Sequence, residues 1–444
     1  MFIMEDIVSL CKRRGFIFPG SEVYGGLAGT WDYGPLGLLL KRNLENGFYK
    51  TFVDGREDMY AVDASIIMNP KVWEASGHVA TFADPLIEDT VNHKRHRLDH
   101  LLEDAGIDVK GLTLAKMQAL VKEKGLKSPD GNPLGEARMF NMMFSTHVGP
   151  VTDDSSVAYL RPETAQGIFT NYKNIVDTIY PDLPFGIAQV GKAFRNEISP
   201  RDFVFRSREF NQMEIEYFCD PKDWEILFEA WVADYHAWLE SLGLPREKTH
   251  DLEVPDEDRA HYSKRTIDIE FDYPVGRKEL MGIAYRTDFD LMNIQKASGR
   301  NMEYIDKHSK AKLVPHVIEP SIGTERLIMA VLCSAYAEEG EGEDKRVVLK
   351  LPEELAPYKF CVSPLLKNKP ELVEKAREVF NLLKQKYGFV TWDDNGNIGK
   401  RYRRQDEIGT PKCVVVDFET LEDGTVTVRD RDTMEQVRVE VANL

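Results

Sequence analysis

The sequence predicts a mixed fold of strands and helices, arranged as one large module and one smaller α/β module. Residues 156–335 alternate strand patterns with helical patterns. An acidic, glycine-punctuated segment at 337–346 interrupts this alternation and is the best candidate for a domain boundary. Beyond it the hydrophobic pattern changes. We therefore expect a domain of residues 1–336, a linker of 337–347 and a second domain of 348–444.

The N-terminal part of the large module shows two helical patterns around a glycine-rich stretch. The patterns predict a helix over Asp6–Arg14, a glycine-rich connection over 20–37 and a helix over about Leu36–Val53. Residues 71–155 are mixed and charged, and we interpret them as an insertion. Within them LAKMQALVKEKG, at 114–125, has apolar residues at helical spacing and predicts another helix.

The smaller module opens on an amphipathic helix. Its apolar stripe comprises Leu372, Ala376, Val379, Phe380 and Leu383. FVTWDD, at 389–394, predicts a strand, which a basic loop connects to the apolar strand CVVVDF at 413–418. Two alternating segments, Thr425–Arg431 and Gln436–Val441, predict a closing hairpin. This order of elements indicates a compact α/β domain.

Composition and charge exclude some classes of protein. The chain has 444 residues and a formal net charge of −17, which argues against nonspecific coating of nucleic acid. A specific RNA partner, met through local basic patches at 192–208 and Lys400–Arg404, stays open. The apolar stretch Leu327–Ala337 is too short to cross a bilayer, so no membrane span is expected.

Cysteine usage and the N-terminus indicate the compartment. The five cysteines are far apart and include no CxxC pair, so neither a disulfide framework nor a zinc knuckle is predicted. The N-terminal segment lacks the charge order and cleavage site of a signal peptide. We therefore expect a cytoplasmic protein.

The segment GKAFRNEISPRDFVFRSREFNQMEIEYF, at 191–218, is the most informative in the chain. It predicts two strands around a basic loop, and Arg195 and Glu197 would point the same way on the first strand. The second strand would separate Phe210, Gln212, Glu214 and Glu216 from the core residues Met213, Ile215 and Tyr217. The loop adds Arg201, Arg206 and Arg208. Guanidinium groups grip phosphates and an aromatic ring stacks on a base, so this hairpin can hold a nucleoside triphosphate. A surface hairpin with solvated charges is the alternative.

Three further segments carry chemistry. EPSIGTERLIMAVL, at 319–332, predicts a strand that runs into a helix, with three residues on one strand face and Arg326 in the first helical turn. Those three residues are Glu319, Ser321 and Gly323. RPETAQG, at 161–167, places Glu163 where it could receive an ammonium group. KELMGIAYRTDFDL, at 278–291, adds Glu279, Arg286 and Asp288.

Each of these segments also has a simpler interpretation. The helix start at Thr324 and Glu325 suits an ordinary capped helix, Glu163 could be a solvated charge, and Asp288 could be a salt-bridge partner. Rival chemistries lack their motifs, since no GxxxxGK[ST], GxSxG or HExxH occurs. The histidines show no metal-ligand spacing, and we expect His93 and His96 to be solvated.

Together these segments resemble the class II aminoacyl-tRNA synthetases, and nearly the whole chain is similar to the homodimeric glycyl-tRNA synthetases. Segment 20–37 resembles the dimer-forming first motif, with Pro35 as its proline. FRNE with the loop at 198–209 resembles the second motif, and EPSIGTER resembles the third. RPETAQG and GIAYRTDFDL are typical of this family. GKRYRRQDEIGTP, at 399–411, resembles the signature loop of its anticodon-binding domain.

The resemblance implies an α+β fold, with an antiparallel sheet flanked by helices in a catalytic core of 1–336 and an α/β anticodon-binding domain of 348–444. It implies the attachment of glycine to tRNA(Gly) with ATP, through a glycyl-adenylate. Pyrophosphate and then AMP would be released. The implied partners are glycine, ATP, tRNA(Gly) and a second copy of the chain in a homodimer.

The resemblance also implies the ATP site. Arg195 would contact the α-phosphate, Arg206 or Arg208 would hold the γ-phosphate, and Phe210 and Arg326 would sandwich the adenine. Arg195 and Arg326 are the expected catalytic residues. The full ATP-binding set comprises Arg195, Asn196, Glu197, Phe205, Arg206, Ser207, Arg208, Glu209, Phe210, Glu279, Leu280, Gly323, Thr324, Glu325 and Arg326.

Glycine and metal sites follow from the same resemblance. The glycine-binding set comprises Arg97, Glu163, Phe210, Gln212, Glu214, Arg286, Glu319, Ser321 and Gly323. Glu279 is the expected Mg²⁺ ligand. Some family members hold zinc near the counterpart of 90–97, but TVNHKRHR there has no cysteine, so no zinc is expected.

Two alternatives stay open at this point. A class II synthetase for another amino acid would share the ATP motifs, and the glutamates at 163, 214 and 319 would then decide. A binding-only relative would typically lack the motif arginines or acidic ligands, whereas Arg195 and Arg326 are both present.

Overall fold

The N-terminal segment forms a helix, a small hairpin and a longer helix. The structure is a computed structural model that describes residues 2–109, 111–342 and 345–444. The elements here are α1 (Met4–Arg14), β1 (Ile17–Pro19), β2 (Trp31–Tyr33), α2 (Pro35–Tyr49) and β3 (Met59–Ala61). Both predicted helices are confirmed. Helix α2 begins at Pro35, where a residue without an N–H loses no hydrogen bond, and its last turn widens into a π-helix.

Helix α2 approaches the preceding backbone closely at Gly37. A Cβ atom there would lie 1.9 Å from the carbonyl oxygen of Phe16. We therefore expect Gly37→Ala to lower the free energy of unfolding by about 3 kcal/mol, because α2 must move away from its neighbour. Thermal or urea unfolding measures this change.

The matched control is Gly47→Ala on the same helix, where no described atom lies within 4 Å of an added Cβ. Alanine in a helix interior is favoured over glycine by up to about 1 kcal/mol, so this variant should be neutral or more stable. Equal unfolding curves for the two variants would contradict the packing argument.

The segment predicted as an insertion contains a small domain with its own core. Strands β5, β4 and β6 pair in that order, and helices α5 and α6 pack against them. The core between them comprises Ile87 of β4 and four helix residues, Leu98, Leu102, Met117 and Val121. The predicted helix at 114–125 is confirmed as α6. The elements are α3 (Pro70–Ala75), α4 (His78–Thr81), β4 (Ala83–Glu88), β5 (Arg95–Arg97), α5 (Leu98–Asp104), α6 (Leu114–Lys124), β6 (Arg138–Asn141), β7 (Ser145–His147) and β8 (Val157–Tyr159). The prediction of a solvated His96 is wrong, since this residue is half-buried within β5, while His93 is exposed.

A large, mostly antiparallel sheet forms the centre of the chain. The described residues place seven strands in it, in the order β11-β12-β13-β16-β10-β9-β3, and only β3 and β9 pair in parallel. The predicted antiparallel sheet with flanking helices is thus confirmed. The elements are α7 (Ala165–Ile179), β9 (Phe185–Phe194), β10 (Glu209–Cys219), α8 (Trp224–Ser241), β11 (Thr249–Glu253), β12 (Arg265–Tyr273), β13 (Gly276–Thr287), α9 (Phe289–Ser298), β14 (Tyr304–Ile305), β15 (Lys312–Leu313), β16 (His316–Gly323) and α10 (Thr324–Ala335).

The two faces of this sheet differ in polarity. One face packs its apolar side chains into a large core with residues of α2, α8 and α10. Met213, Ile215 and Tyr217 lie there, as predicted from their alternation along β10. The opposite face of β10 carries glutamates. The alternative of a surface hairpin is wrong, because β10 lies inside the sheet between β9 and β16.

The C-terminal module is a five-stranded sheet with helices, in the strand order β20-β19-β21-β22-β23 within the described residues. The ends of the predicted linker are not irregular: they pair as strands β17 and β18. The predicted long helix and closing hairpin are confirmed. The elements are β17 (Tyr336–Glu339), β18 (Arg346–Leu349), β19 (Phe360–Pro364), α11 (Pro370–Tyr387), β20 (Val390–Trp392), α12 (Ile398–Glu407), β21 (Lys412–Val416), α13 (Phe418–Asp423), β22 (Thr425–Asp430) and β23 (Gln436–Glu440).

The predicted basic loop after β20 is wrong, because this segment forms helix α12. The side chain of Asn397 caps the helix by accepting a hydrogen bond from the backbone N–H of Lys400 at 2.9 Å. Arg401 is buried and donates to the carbonyls of Pro364 and Gly396. Part of the basic run therefore supports the fold, while Lys400 stays exposed.

Ion pairs join the C-terminal module to the rest of the chain. Asp406 of α12 accepts hydrogen bonds from Arg346 of β18 at 3.0 Å and from Arg429 at 2.8 Å. The next residue, Glu407, pairs with Arg13 and Arg14 of α1. Helix α12 thus contacts both the connecting strands and the N-terminal helix. Among the described residues, no helix is long and apolar enough to span a membrane.

Candidate active site

A cavity of about 460 Å³ opens on the polar face of the central sheet. Strands β10, β13 and β16 supply much of its lining. Strand β12, residues 254–262 between β11 and β12, the β9–β10 connection and the segment before α7 also contribute. Most of the predicted site residues line this cavity. They are Arg97, Glu163, Arg195, Glu197, Phe205, Arg206, Ser207, Phe210, Gln212, Glu214, Glu279, Leu280, Glu319, Ser321, Gly323, Glu325 and Arg326.

Some predicted site residues are not among those that line the cavity. They are Asn196, Arg208, Glu209, Arg286 and Thr324. The guanidinium of Arg208 donates to the carbonyls of Glu197 and Ala28, so it supports the backbone of the β9–β10 connection. Glu209 forms an ion pair with Lys192 at the surface. Of the two arginines predicted for the γ-phosphate, Arg206 lines the cavity and Arg208 does not.

Arg195 lies at one side of the cavity on a short irregular segment. Strand β9 ends at Phe194, so the prediction that Arg195 and Glu197 share a strand face is wrong. The backbone turns sharply there, and the N–H of Glu197 donates to the carbonyl of Arg195 at 2.7 Å. The guanidinium donates to the carbonyl of Pro162 at 3.1 Å and lies 5.3 Å from the ring centroid of Phe210. A guanidinium group held by these contacts has a fixed orientation, which favours the binding of a phosphate.

Arg326 and Phe205 form a stacked pair at another side of the cavity. The guanidinium carbon lies 4.5 Å from the ring centroid of Phe205, and a nitrogen lies 2.9 Å from a carboxylate oxygen of Glu279. The ion pair with Arg326 holds the pKa of the Glu279 carboxyl below its usual value. Burial and the charge of Glu279 raise the pKa of the nearby Asp268 to about 7. The carboxyl groups of Asp268 and Glu279 therefore interact electrostatically at this side of the cavity.

Four buried glutamates lie at the end of the cavity near α7. Glu214 accepts a hydrogen bond from the hydroxyl of Thr164, and Glu319 accepts one from Arg286 at 2.8 Å. Burial, with repulsion from Glu214 and Glu163, raises the pKa of Glu319 to about 8 despite Arg286. Burial and the charge of Glu163 also raise the pKa of Glu214.

Within this cluster, the pKa of Glu163 is lowered and the pKa of Glu216 is raised. Burial opposes the charge of Glu163, but His78, Arg286 and Arg195 overcome it and lower its pKa to about 2. Both carboxyl oxygens of Glu216 are buried without a hydrogen-bond partner among the described residues. Burial and the charge of Glu319 raise the pKa of Glu216 well above its usual value. The cluster therefore has an excess of carboxyl groups, which an ammonium ion would compensate.

Arg286 lies behind the cluster and not in the cavity. Its guanidinium donates to Asp290 twice, at 2.8 and 2.9 Å, and to Glu319 at 2.8 Å. The ring of Tyr262 covers it, with a centroid distance of 3.8 Å. The prediction that Arg286 is available for a substrate carboxylate is therefore wrong, because its hydrogen-bonding edges already hold protein carboxylates. Because Arg286 donates to Glu319, it can hold that carboxyl group in a fixed orientation.

Glu325 lines the cavity, but protein groups occupy its carboxylate. One oxygen accepts from the backbone N–H of Asn211 at 2.8 Å. The other accepts from the side chain of Asn211 at 2.9 Å and from the hydroxyl of Tyr33 at 3.0 Å. This contact joins β2, β10 and the first turn of α10. Glu325 thus connects the three segments predicted as motifs, and it presents no free carboxylate oxygen to a ligand.

Sequence reasoning missed several groups at this site. Asp268 had a usable signal, because the alternation in RTIDIEFDY puts it on the polar face of β12, opposite Ile267 and Ile269. His78, at the start of α4, and Tyr262, between β11 and β12, had none, because each reaches the site through tertiary packing. Glu216 was placed on the correct strand face, but its missing partners are visible only in the structure.

Comparisons with known proteins agree with this architecture. Residues 150–335 match the family model "tRNA synthetase class II core domain (G, H, P, S and T)", and residues 359–444 match "Anticodon binding domain". A solved Giardia lamblia prolyl-tRNA synthetase, in complex with prolyl-adenylate, has a TM-score of 0.66 over 99% of this chain and 76% of its own. At 15% sequence identity this likeness concerns the fold alone. Fold and site together define a class II aminoacyl-tRNA synthetase.

Curated relatives narrow the class to one family. A glycine–tRNA ligase of Bacillus anthracis is 49% identical over 100% of this chain and 98% of its own length. A glycine–tRNA ligase of Deinococcus radiodurans is 47% identical over 99% of this chain and 97% of its own. The chain therefore belongs to the glycine–tRNA ligase family, and it is an enzyme of the ligase class.

Proposed function

We propose that this cavity activates glycine with ATP and that the chain then transfers the glycyl group to tRNA(Gly). One observation carries the proposal. The guanidinium of Arg195, which could bind phosphate, lines the same cavity as three buried glutamates that could bind an ammonium group, Glu163, Glu214 and Glu319. Glycine and ATP must meet in this way for the glycine carboxylate to attack the α-phosphorus. Pyrophosphate leaves, and the 3′-hydroxyl of the terminal adenosine of the tRNA then attacks the glycyl carbonyl and releases AMP.

At the end of the cavity that would bind ATP, catalysis requires positioning of the phosphates and charge compensation more than covalent chemistry. Arg195 would hold the α-phosphate and compensate the charge that develops during attack. Arg206 would contact the γ-phosphate. Arg326, stacked on Phe205, would cover one face of the adenine, and Phe210 would cover the other. Arg195 and Arg326 are thus the proposed catalytic residues.

Glu279 would hold Mg²⁺, and Asp268 would be a second oxygen donor. Burial and the charge of Glu279 raise the pKa of Asp268, and a bound cation would favour its ionised form. When bound there, the ion would neutralise phosphate charge beside the pair of Glu279 and Arg326. Arg326 would stay in contact with Glu279 and keep that carboxylate ionised.

The glycine end selects by charge and by size. Glu163, Glu214 and Glu319 would surround the ammonium group, with Ser321 and Gln212 beside them. Gln212 donates to Ser321 at 3.5 Å and accepts from the backbone N–H of Thr164 at 3.1 Å, which fixes the wall near the α-carbon. Fixed walls exclude larger side chains sterically, so the smallest amino acid needs no editing step.

Transfer to tRNA would use the C-terminal module. The exposed Lys400 of α12 is a proposed contact for the anticodon arm, whose bases proteins read by stacking and edge hydrogen bonds.

We propose a homodimer joined through the segment 20–37, which includes exposed apolar residues. They are Val23, Tyr24 and Leu27. The proposed compartment is the cytoplasm.

Glycine use should depend on pH through Glu319. Its pKa is raised to about 8, so this carboxyl is mostly protonated in the empty site below that pH. An ammonium group stabilises the ionised form, so a proton must leave when glycine binds. We expect kcat/KM for glycine to rise with pH up to about 8, by as much as tenfold per unit, from initial rates at saturating ATP.

The control is Glu319→Gln, which cannot lose this proton. Its kcat/KM for glycine should be lower and should respond much less to pH between 6 and 8. An unchanged pH profile in this variant would show that another group is responsible.

The overall function is tested by aminoacylation with radiolabelled glycine. Purified enzyme, ATP and Mg²⁺ should charge tRNA(Gly) to acid-precipitable product and should not charge a tRNA for another amino acid. Charging of neither tRNA by the folded full-length chain would contradict the proposal.

A further inference from the structure

A serine, a histidine and a glutamate form a row of polar contacts that ends in the glutamate cluster. The hydroxyl oxygen of Ser76 lies 2.8 Å from Nδ1 of His78, and Nε2 of His78 lies 3.3 Å from Oε2 of Glu163. All three side chains are buried. Oε1 of Glu163 is buried without a hydrogen-bond partner among the described residues, although Glu163 lines the cavity. One oxygen of Glu163 is therefore paired with His78, and the other has no hydrogen-bond partner among the described residues.

The imidazole is fixed by aromatic packing as well as by hydrogen bonds. Trp73 meets it edge-on with ring centroids 5.5 Å apart, and Phe82 lies 5.6 Å away on the other side. Phe82 in turn lies 5.5 Å from the guanidinium of Arg195. Gly77, at φ +87°, turns the chain so that His78 can enter this space. The segment 73–82 thus supports both ends of the proposed reaction.

The proton positions in this row lead to one conclusion. The hydroxyl of Ser76 has a single proton, which goes either to Nδ1 of His78 or to the carbonyl of Trp73 at 3.3 Å. In the first arrangement the neutral imidazole carries its proton on Nε2. In the second, Nδ1–H donates to Ser76, and Nε2 must also be protonated to face a carboxylate. Nε2 donates to Glu163 in both arrangements.

A hydrolytic role for this row is excluded by its position. Neither Ser76 nor His78 is among the residues that line the cavity, and among the described residues the serine hydroxyl hydrogen-bonds only to the histidine and a backbone carbonyl. A nucleophile must reach the reacting atom. The row can therefore act on a ligand only through Glu163.

We propose that His78 is a positioning residue for the amino acid: it pairs with Oε2 of Glu163 and so fixes the orientation of the carboxylate that would receive the ammonium group of glycine. Ser76 fixes the imidazole for this task. The inference rests on the proposed function, because it assigns glycine to the glutamate cluster. It predicts that His78 affects the KM for glycine and has little effect on ATP binding.

Two amide substitutions at His78 test the geometry. In His78→Gln the amide nitrogen can stand near the position of Nε2 and still donate to Glu163. In His78→Asn the shorter amide can reach only the Ser76 side. We expect His78→Asn to raise the KM for glycine by about 10- to 100-fold, as for loss of a hydrogen bond to a charged group, while His78→Gln restores most of the affinity. ATP–pyrophosphate exchange gives the KM for glycine, the KM for ATP and kcat for each variant.

The controls separate this inference from folding and from the proposed function. His93→Asn changes an exposed histidine that also pairs with a glutamate, and it should behave like the wild type.

Should His78→Asn not fold, Ser76→Ala should still raise the KM for glycine by a few-fold, because it frees the imidazole to turn. An unchanged KM for glycine in the folded His78→Asn, or in Ser76→Ala where that variant replaces it, would overturn the role of His78. Equal impairment of the Gln and Asn variants would also overturn it. Failure of the wild type to exchange with glycine would instead contradict the proposed function.

Discussion

Replacement of Arg195 by alanine is expected to slow glycyl-adenylate formation by about 10³-fold. The guanidinium lies in the cavity, is held by the carbonyl of Pro162 and faces the ring of Phe210. Arginine groups that compensate charge on a transferring phosphoryl group contribute about 10³–10⁵ to the rate. The measurement is the single-turnover rate with radiolabelled ATP and saturating glycine.

The fold should survive this substitution. Arg195 is half-buried, and its cation–π contacts contribute about 1 kcal/mol each, so the unfolding midpoint should move little. Arg277→Ala is the matched control, because this exposed arginine of β13 pairs only with Asp272 among the described residues. Near-normal adenylate formation by a folded Arg195→Ala enzyme would remove Arg195 from the mechanism.

Glu163→Gln is expected to raise the KM for glycine by about 10- to 100-fold, which is the second large effect. This carboxylate is the one whose pKa lies low, at about 2, so it is charged at every working pH. The substitution keeps the shape of the side chain and a group that can accept from His78, but it removes the charge that an ammonium ion needs. Steady-state exchange at varied glycine measures the effect.

Two comparisons make the result specific. Glu225→Gln, on the exposed first turn of α8, should leave the KM for glycine unchanged. The loss in Glu163→Gln should also be nearly independent of pH, in contrast to Glu319→Gln, because Glu163 does not titrate near neutrality. An equal rise in the KM values for ATP and glycine would instead indicate general damage to the cavity.

Strand alternation predicted the faces of β10 and β16 correctly. Met213 and Ile215 enter the core, while Glu214 and Glu319 reach the cavity, because a strand face depends only on a period of two. The helix start after Gly323 was also correct. These features are local, and they needed only the order of polar and apolar residues.

The remaining features depend on contacts between distant parts of the chain. Residues 399–407 looked like a basic loop, but Arg401 reaches the carbonyl of Pro364, and Asp406 binds Arg346, so the segment is stabilised as a helix. Arg286 looked like a free cation, but Asp290 and Glu319 hold it. The sequence thus identified the charged residues of these segments, but it did not identify the residues with which they form hydrogen bonds and ion pairs.

The central claim is that one cavity joins glycine to ATP. The most direct measurement is ATP–pyrophosphate exchange with Mg²⁺, with each amino acid tested separately and no tRNA present. The account predicts exchange with glycine and background rates with alanine and serine. Exchange with a different amino acid, or none with any amino acid from the folded enzyme, would contradict it.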